Sequence, residues 1–306
     1  DVRNGQLSAG FDWYIGPTDY NILKQYDENI SDSISFGWGI IGWINRFVFF
    51  PLFGLLSGFL PFGIAIIVMT VIVRLVLSPV TYKSYLSQAK MKVLRPEINE
   101  LTEKYKNDAG RKQQETMKLY SKAGVNPMAG CVPSLLQLPV FLGLFYFFPV
   151  AFSLRGKSFL WAEDLSSYDA VLELPFSIPF YGDHVSLFPL LASVAIFFYS
   201  KMTMGQQMQS PQPGMPNMKF MIYLMPVMML FFFNNYASGL SLYYFVSNLI
   251  TIFIMLVIKN YIIDDQKIHL QIQENKKKPK KQNRFQRKME EMMEQAEQQR
   301  RSGRRR

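Results

Sequence analysis

Arg74 is the single charge in the apolar run Gly63–Val80, GIAIIVMTVIVRLVLSPV. A hydrocarbon core of about 30 Å is crossed by roughly 20 apolar residues in a helix. Residues 62–80 meet that length, and Lys83 marks the return to water. Arg74 precedes Lys83 by nine residues, which places it roughly 13 Å below that boundary at about 1.5 Å per residue. A guanidinium at such depth costs on the order of 2.5–3.5 kcal/mol on insertion scales, so it belongs in a protein interior or a water-filled cavity. Its neighbours favour the cavity. At 100° per residue, Thr70, Arg74, Ser78 and Thr81 fall within about 80° of arc. The plainer alternative is an arginine that snorkels to the headgroups. The polar stripe continues on both sides of Arg74, however, and favours a cavity open towards Lys83.

Two other apolar runs add polar groups. Gln137 lies about six residues into the run 131–151. Tyr244, Ser247, Asn248 and Thr251 share one helical face within roughly 100° of arc. Each set alone reads equally well as interhelical hydrogen bonding; two stripes plus an amide favour a shared hydrophilic groove. Such a groove captures and solvates but performs no covalent chemistry. No Asp, Glu or His lies within the spans, and His184 and His269 are far apart. One cysteine, Cys131, allows no internal disulfide. There is no GxGxxG, P-loop or nucleophile elbow. We therefore expect no enzyme, no metal and no cofactor.

The elements that must position these residues follow from composition. The chain has 306 residues, 49% hydrophobic and 15% aromatic, with a net charge of +10. This combination, with several long uncharged runs, indicates an all-α polytopic membrane protein. Five spans are expected, at about 62–80, 131–151, 188–204, 219–235 and 239–260, within a core covering 61–263. Residues 1–35 carry a net charge of −4 and read as the end of an extra-membrane domain. The first residue is Asp1, and a longer precursor is expected. Residues 36–60 are apolar but punctuated by Gly and Pro, and Trp38 and Trp43 suit a membrane interface; a helix lying in the membrane plane is expected. Residues 83–125 form a polar, basic helical hairpin with Gly110 and Gly124 as hinges. The tail, 264–306, holds basic clusters at Lys276, Lys277, Lys278, Lys280 and Lys281 and at Arg304, Arg305 and Arg306. These attract anionic phospholipids or ribosomal RNA. The segments assigned inside (83–130, 201–219 and 259–306) carry 27 Lys or Arg; those assigned outside (1–61 and 153–187) carry 5. The positive-inside rule then puts the N-terminus outside and the C-terminus in the cytoplasm.

Three stretches, RLVLSPVTYKSYLSQAKMKVLRPEI, NPMAGCVPSLLQLPVFLGLFY and ASGLSLYYFVSN, resemble the YidC-type membrane protein insertases (the YidC/Oxa/Alb family) in order and spacing over roughly residues 11–263. The opening GFDWYIGPTDYNIL is similar to the end of the periplasmic domain of Gram-negative members, and by this resemblance the preceding β-sandwich and first membrane anchor are expected to be absent from this sequence. It implies a multi-pass protein of the bacterial inner membrane that inserts and helps fold nascent membrane proteins, alone or with the Sec translocon. By the same resemblance, Arg74, Thr70 and Gln137 match groove residues, Tyr244 lines a substrate slide, and residues 83–125 are the cytoplasmic hairpin. The tail resembles ribosome-binding extensions. Ala237 departs from the proline that many members place before Ser-Gly. The competing reading is a transporter or channel with an intramembrane arginine.

Overall fold

The computed structural model describes residues 2–3, 6–7, 13–26, 28–106, 108–130, 132–204 and 218–277. Lys278, Lys280, Lys281, Arg304, Arg305 and Arg306 lie outside the described residues. Two short strands, β1 (Val2–Arg3) and β2 (Gln6–Leu7), pair antiparallel. Helices α1 (Tyr20–Tyr26) and α2 (Glu28–Ser31) follow. Next comes a helical run of α3 (Gly39–Ile44), a π-helical turn (Asn45–Phe49) and α4 (Phe50–Ser57). Only α4, beside the turn into the next helix, packs extensively there; α3 and the π turn lie against α8 (Val132–Val150).

Helix α5 (Phe62–Val93) is longer than the 62–80 span expected. It continues through Pro79, whose missing N–H leaves the Leu75 carbonyl without its intrahelical donor. The Ser78 hydroxyl donates to that carbonyl at 2.8 Å. The helix stops at Leu94, and Pro96 opens α6 (Arg95–Lys104), where a first-turn proline loses no hydrogen bond. The expected first arm of the hairpin is therefore divided between α5 and α6. The second arm is α7 (Ala109–Ala123), capped at its start by the Asp108 carboxylate, which accepts from Arg111 N. Gly124 ends it in the left-handed conformation, φ +67°, which suits glycine.

Beyond α8, strands β3 (Ala170–Ile178) and β4 (Gly182–Ser186) form an antiparallel hairpin that hydropathy did not signal. Helices α9 (Leu187–Met204), α10 (Met218–Asn234) and α11 (Ser238–Val257) complete the bundle, with a π-helical extension to Ile262. By length and composition, Gly39–Ser57, Phe62–Val93 and Ser238–Ile262 can each cross a membrane, accompanied by the shorter apolar helices Leu135–Val150, Leu187–Thr203 and Ile222–Asn234. Length alone thus admits the 39–57 segment, which the sequence reading laid in the membrane plane.

The five helices α5, α8, α9, α10 and α11 alternate in direction around an aromatic core of Phe49, Phe53, Phe147, Phe148, Phe233 and Tyr243. One end of the bundle is tied by polar bonds. The Asp169 carboxylate accepts from the N–H groups of Leu187 and Phe188 at the start of α9, at 3.0 and 2.8 Å, and from Trp161 Nε1. Buried Asn234, at the end of α10, donates to the carbonyls of Tyr181 and His184 and accepts from Ser186 N. The Phe159 ring lies where a side chain at Gly63 would stand, so residue 63 must be small.

The opposite end carries a second core of Ala89, Leu94, Ile98, Ala123 and Val125. It includes Ile268 and Ile272 of α12 (Asp265–Lys277), a helix inside what the sequence presented as an undivided basic tail. Asn275 donates to the Ala123 carbonyl, and Lys276 pairs with Glu97.

Candidate functional site

The site lies where α5, α8 and α11 meet. Arg74 is half-buried on α5, and its Nε donates to Ser247 Oγ on α11. No residue among those described accepts from its two terminal nitrogens, and neither nitrogen is buried. Tyr243 and Tyr244 of α11 lie within range of the Arg74 charge, and Gln137 of α8 lies beside both phenols. The Gln137 amide nitrogen and both hydroxyls are buried; Gln137 is within reach of both phenols and Ser247 of Tyr243, but none of these three atoms makes a well-formed hydrogen bond among the described residues. The Tyr244 ring is held by Phe141 and Phe233, at 5.5 and 5.2 Å between centroids.

Four of the expected residues, Arg74, Gln137, Tyr244 and Ser247, therefore converge. Thr70 and Asn248 flank them but satisfy their own helices. Thr70 is fully buried and donates to the Ile66 carbonyl at 2.7 Å; Asn248 donates to the Tyr244 carbonyl at 2.7 Å. Ser78 stands one turn beyond Arg74, and its hydroxyl repairs the break at Pro79. Sequence reasoning passed over Tyr243, which lies one turn before Ser247 on the same face. It also missed a rim of Tyr85, Tyr199 and Thr203, where Tyr85 interacts with both partners and feels the Arg74 charge. Tyr85 continues the stripe 70-74-78-81 by one further turn; ending the helix at Val80 hid it.

The turn before α11 is fixed without proline at 237. Ser238 N donates to the Ser167 carbonyl at 2.6 Å, and Ser238 Oγ to the Asp164 carbonyl at 2.9 Å. Outside the helices, burial raises the Asp169 carboxyl above its ordinary value despite its donors. Asp164 is less enclosed; burial raises it, but the Ser166 N–H and hydroxyl, the Gly156 N–H and the Arg155 charge together outweigh that and hold it low.

The family described as 60Kd inner membrane protein matches residues 52–267, a range that contains every residue of the site. The chain belongs to this family. The chain is similar to the membrane protein insertase YidC of Parabacteroides distasonis, 44% identical over 292 residues, covering 90% of this chain and 46% of that protein. The YidC insertase of Phocaeicola vulgatus is 47% identical over 266 residues, covering 83% and 43%. An active YidC insertase crystal structure with its first transmembrane domain resolved superposes with a TM-score of 0.51 at 30% identity, over 81% of this chain and 54% of that one. The chain thus spans somewhat under half the length of these curated relatives.

Proposed function

We propose that this chain is the core of a membrane protein insertase and folding chaperone of the bacterial inner membrane, and that it does no covalent chemistry. One observation carries the reading: an arginine with unpartnered terminal nitrogens beside buried hydroxyls and an amide that have only one another and Ser247 within reach and make no well-formed hydrogen bond among the described residues. Each unsatisfied buried group costs about 1–3 kcal/mol, so such a cluster is stable among apolar helices only where water or polypeptide reaches it. A polar segment of a nascent protein entering there replaces lost water contacts and crosses a shorter apolar path. Its own apolar helix can then leave along the greasy faces of α5 and α11. Five spans, an interfacial 36–60 helix, an outside N-terminus and a cytoplasmic C-terminus fit the charge distribution. The helix placement is supported by α3, which runs onto α8 instead of down α5.

Thr70, Ser78 and Asn248 belong to the proposed groove as its walls, beside Arg74, Gln137, Tyr244 and Ser247. The tail would meet ribosomal RNA or anionic phospholipids through Lys277, Lys278, Lys280, Lys281, Arg304, Arg305 and Arg306; Lys276 is engaged with Glu97. The Sec translocon is a further partner of this reading. The test is reconstitution: purified chain in proteoliposomes should insert a single-span substrate to a protease-protected state. Failure to insert, together with ion conductance across planar bilayers, would favour the transporter or channel reading.

A further inference from the structure

An open surface cavity of about 500 Å³ lies between the turn after α2 and the α3–π-helical stretch. Asp32 and Arg46 both line it, with Ser33, Ser35, Trp43 and Phe47. That volume falls within the roughly 300–1,000 Å³ typical of small-ligand sites. The two charges share the cavity but form no ion pair with each other or with any other described residue. Arg46 is held from behind: its Nε donates to the Tyr20 hydroxyl at 3.0 Å, and its Cζ lies 5.6 Å from the Tyr20 ring centroid. Tyr20 is itself packed edge-on against Phe36. The remaining guanidinium nitrogens are left to whatever enters. A fixed cation and a carboxylate facing one space without neutralising each other suit a ligand that carries both charges.

The surroundings say what that ligand is. Trp43 and Phe47 are exposed, and Ile40 and Leu55 extend the same apolar face along the helix. The buried side of this helix meets Gly143 and Phe147 on α8. These lie seven and three residues from Val150, or roughly 5–10 Å from the helix end, a depth at which interfacial helices sit. Aromatic residues favour that zone. We propose that the cavity binds the headgroup of a zwitterionic aminophospholipid, with its phosphate on Arg46, its ammonium at Asp32 and its acyl chains along Trp43 and Phe47. An anionic headgroup can set its phosphate on Arg46 but brings no cation to the Asp32 carboxylate. The proposal rests on the interfacial placement of residues 36–60.

The experiment uses the whole chain in nanodiscs of equimolar phosphatidylethanolamine, phosphatidylglycerol and phosphatidylcholine, with retained lipid measured by native mass spectrometry after stripping. Phosphatidylethanolamine should be enriched about tenfold over each of the others, the size expected of a charge-assisted contact. Arg46→Gln should reduce retention of all three, and Asp32→Asn should abolish the preference over phosphatidylglycerol. Equal retention in the unaltered chain, or an unchanged preference in Asp32→Asn, overturns the site. Placement is read separately by quenching Trp43 with brominated acyl chains, after replacing Trp13, Trp38 and Trp161 with phenylalanine. Quenching without headgroup selection overturns the lipid site and leaves the placement. Selection without quenching overturns the interfacial placement and with it the acyl path along Trp43 and Phe47, and supports only headgroup recognition by Arg46 and Asp32.

Discussion

Replacing Arg74 separates its charge from its shape. At about 4 Å, a substrate carboxylate gains about 4 kcal/mol from the guanidinium at an effective dielectric near 20, and about 1 kcal/mol in bulk water. Arg74 is half-buried with open terminal nitrogens, so about 2 kcal/mol, or roughly 30-fold in capture, is the appropriate scale. Arg74→Ala should reduce insertion of a substrate with an acidic translocated segment by that order, and of a neutral one by less than about threefold. Lysine retains the charge but loses the planar fork. It can still reach Ser247, so Arg74→Lys should remain within about threefold of the parent. Arg74→Glu should be worst for the acidic substrate. Ser247→Ala removes the anchor and leaves the charge; it should preserve the preference for the acidic substrate. The assay is protease protection in proteoliposomes with both substrates. Equal loss on both in Arg74→Ala would refute charge capture. Lysine failing as badly as alanine would show that the planar guanidinium fork, and not the charge, is what Arg74 contributes.

Further outcomes follow from the two ends of the bundle. Asn234→Ala strands the Tyr181 and His184 carbonyls and Ser186 N, and should cost about 2–4 kcal/mol in a thermal or denaturant titration in detergent. Asp169→Ala removes the cap of α9 and should cost about 1–2 kcal/mol. Because the folded Asp169 carboxyl is raised, the native state binds more protons than the unfolded one above the ordinary carboxylate value. Its stabilising contribution is complete below that value and is lost as pH rises through the folded one; Asp169→Asn should flatten this slope in the same titration. Ile272→Ala should release α12, with a local cost of about 2–5 kcal/mol, and hydrogen exchange should accelerate at Leu94 and Val125. Deleting residues 278–306 should weaken ribosome binding and flatten its salt dependence; unchanged binding would leave the tail to lipid.

The positions of the apolar helices were legible because hydrophobic runs of that length have few other uses, and α8, α9, α10 and α11 begin and end within a few residues of expectation. That Thr70, Arg74 and Ser78 share one side, and Tyr244 and Ser247 another, was legible from helical faces, since i, i+3 and i+4 neighbours must share a side; that the two stripes meet Gln137 was inferred from their polarity and from the resemblance. What faces do not reveal is where a hydroxyl donates. Ser78 and Thr70 lie on the stripe, yet both bond to carbonyls of their own helix. Tyr85 was hidden because Lys83 read as the membrane boundary, whereas Ser78 lets α5 run through Pro79. The Asn234 node depends on contacts about fifty residues apart in sequence, which no local pattern carries. Helix α12 was masked by the charge around it: Ile268 and Ile272 are buried and Leu270 is exposed, on an otherwise polar segment.

The central claim is that polar segments of substrates occupy the space around Arg74. A photo-crosslinking residue placed at Gln137, whose amide is unpartnered beside Tyr243 and Tyr244, tests it against a control at Val76, which is 72% exposed on α5. Ribosome-bound nascent chains of increasing length should crosslink from Gln137 first through their polar translocated segment, and from Val76 only later, through their apolar helix, or not at all. Crosslinks of the polar segment from Val76 as early and as strong as from Gln137, or none from Gln137 at any length, would contradict the account.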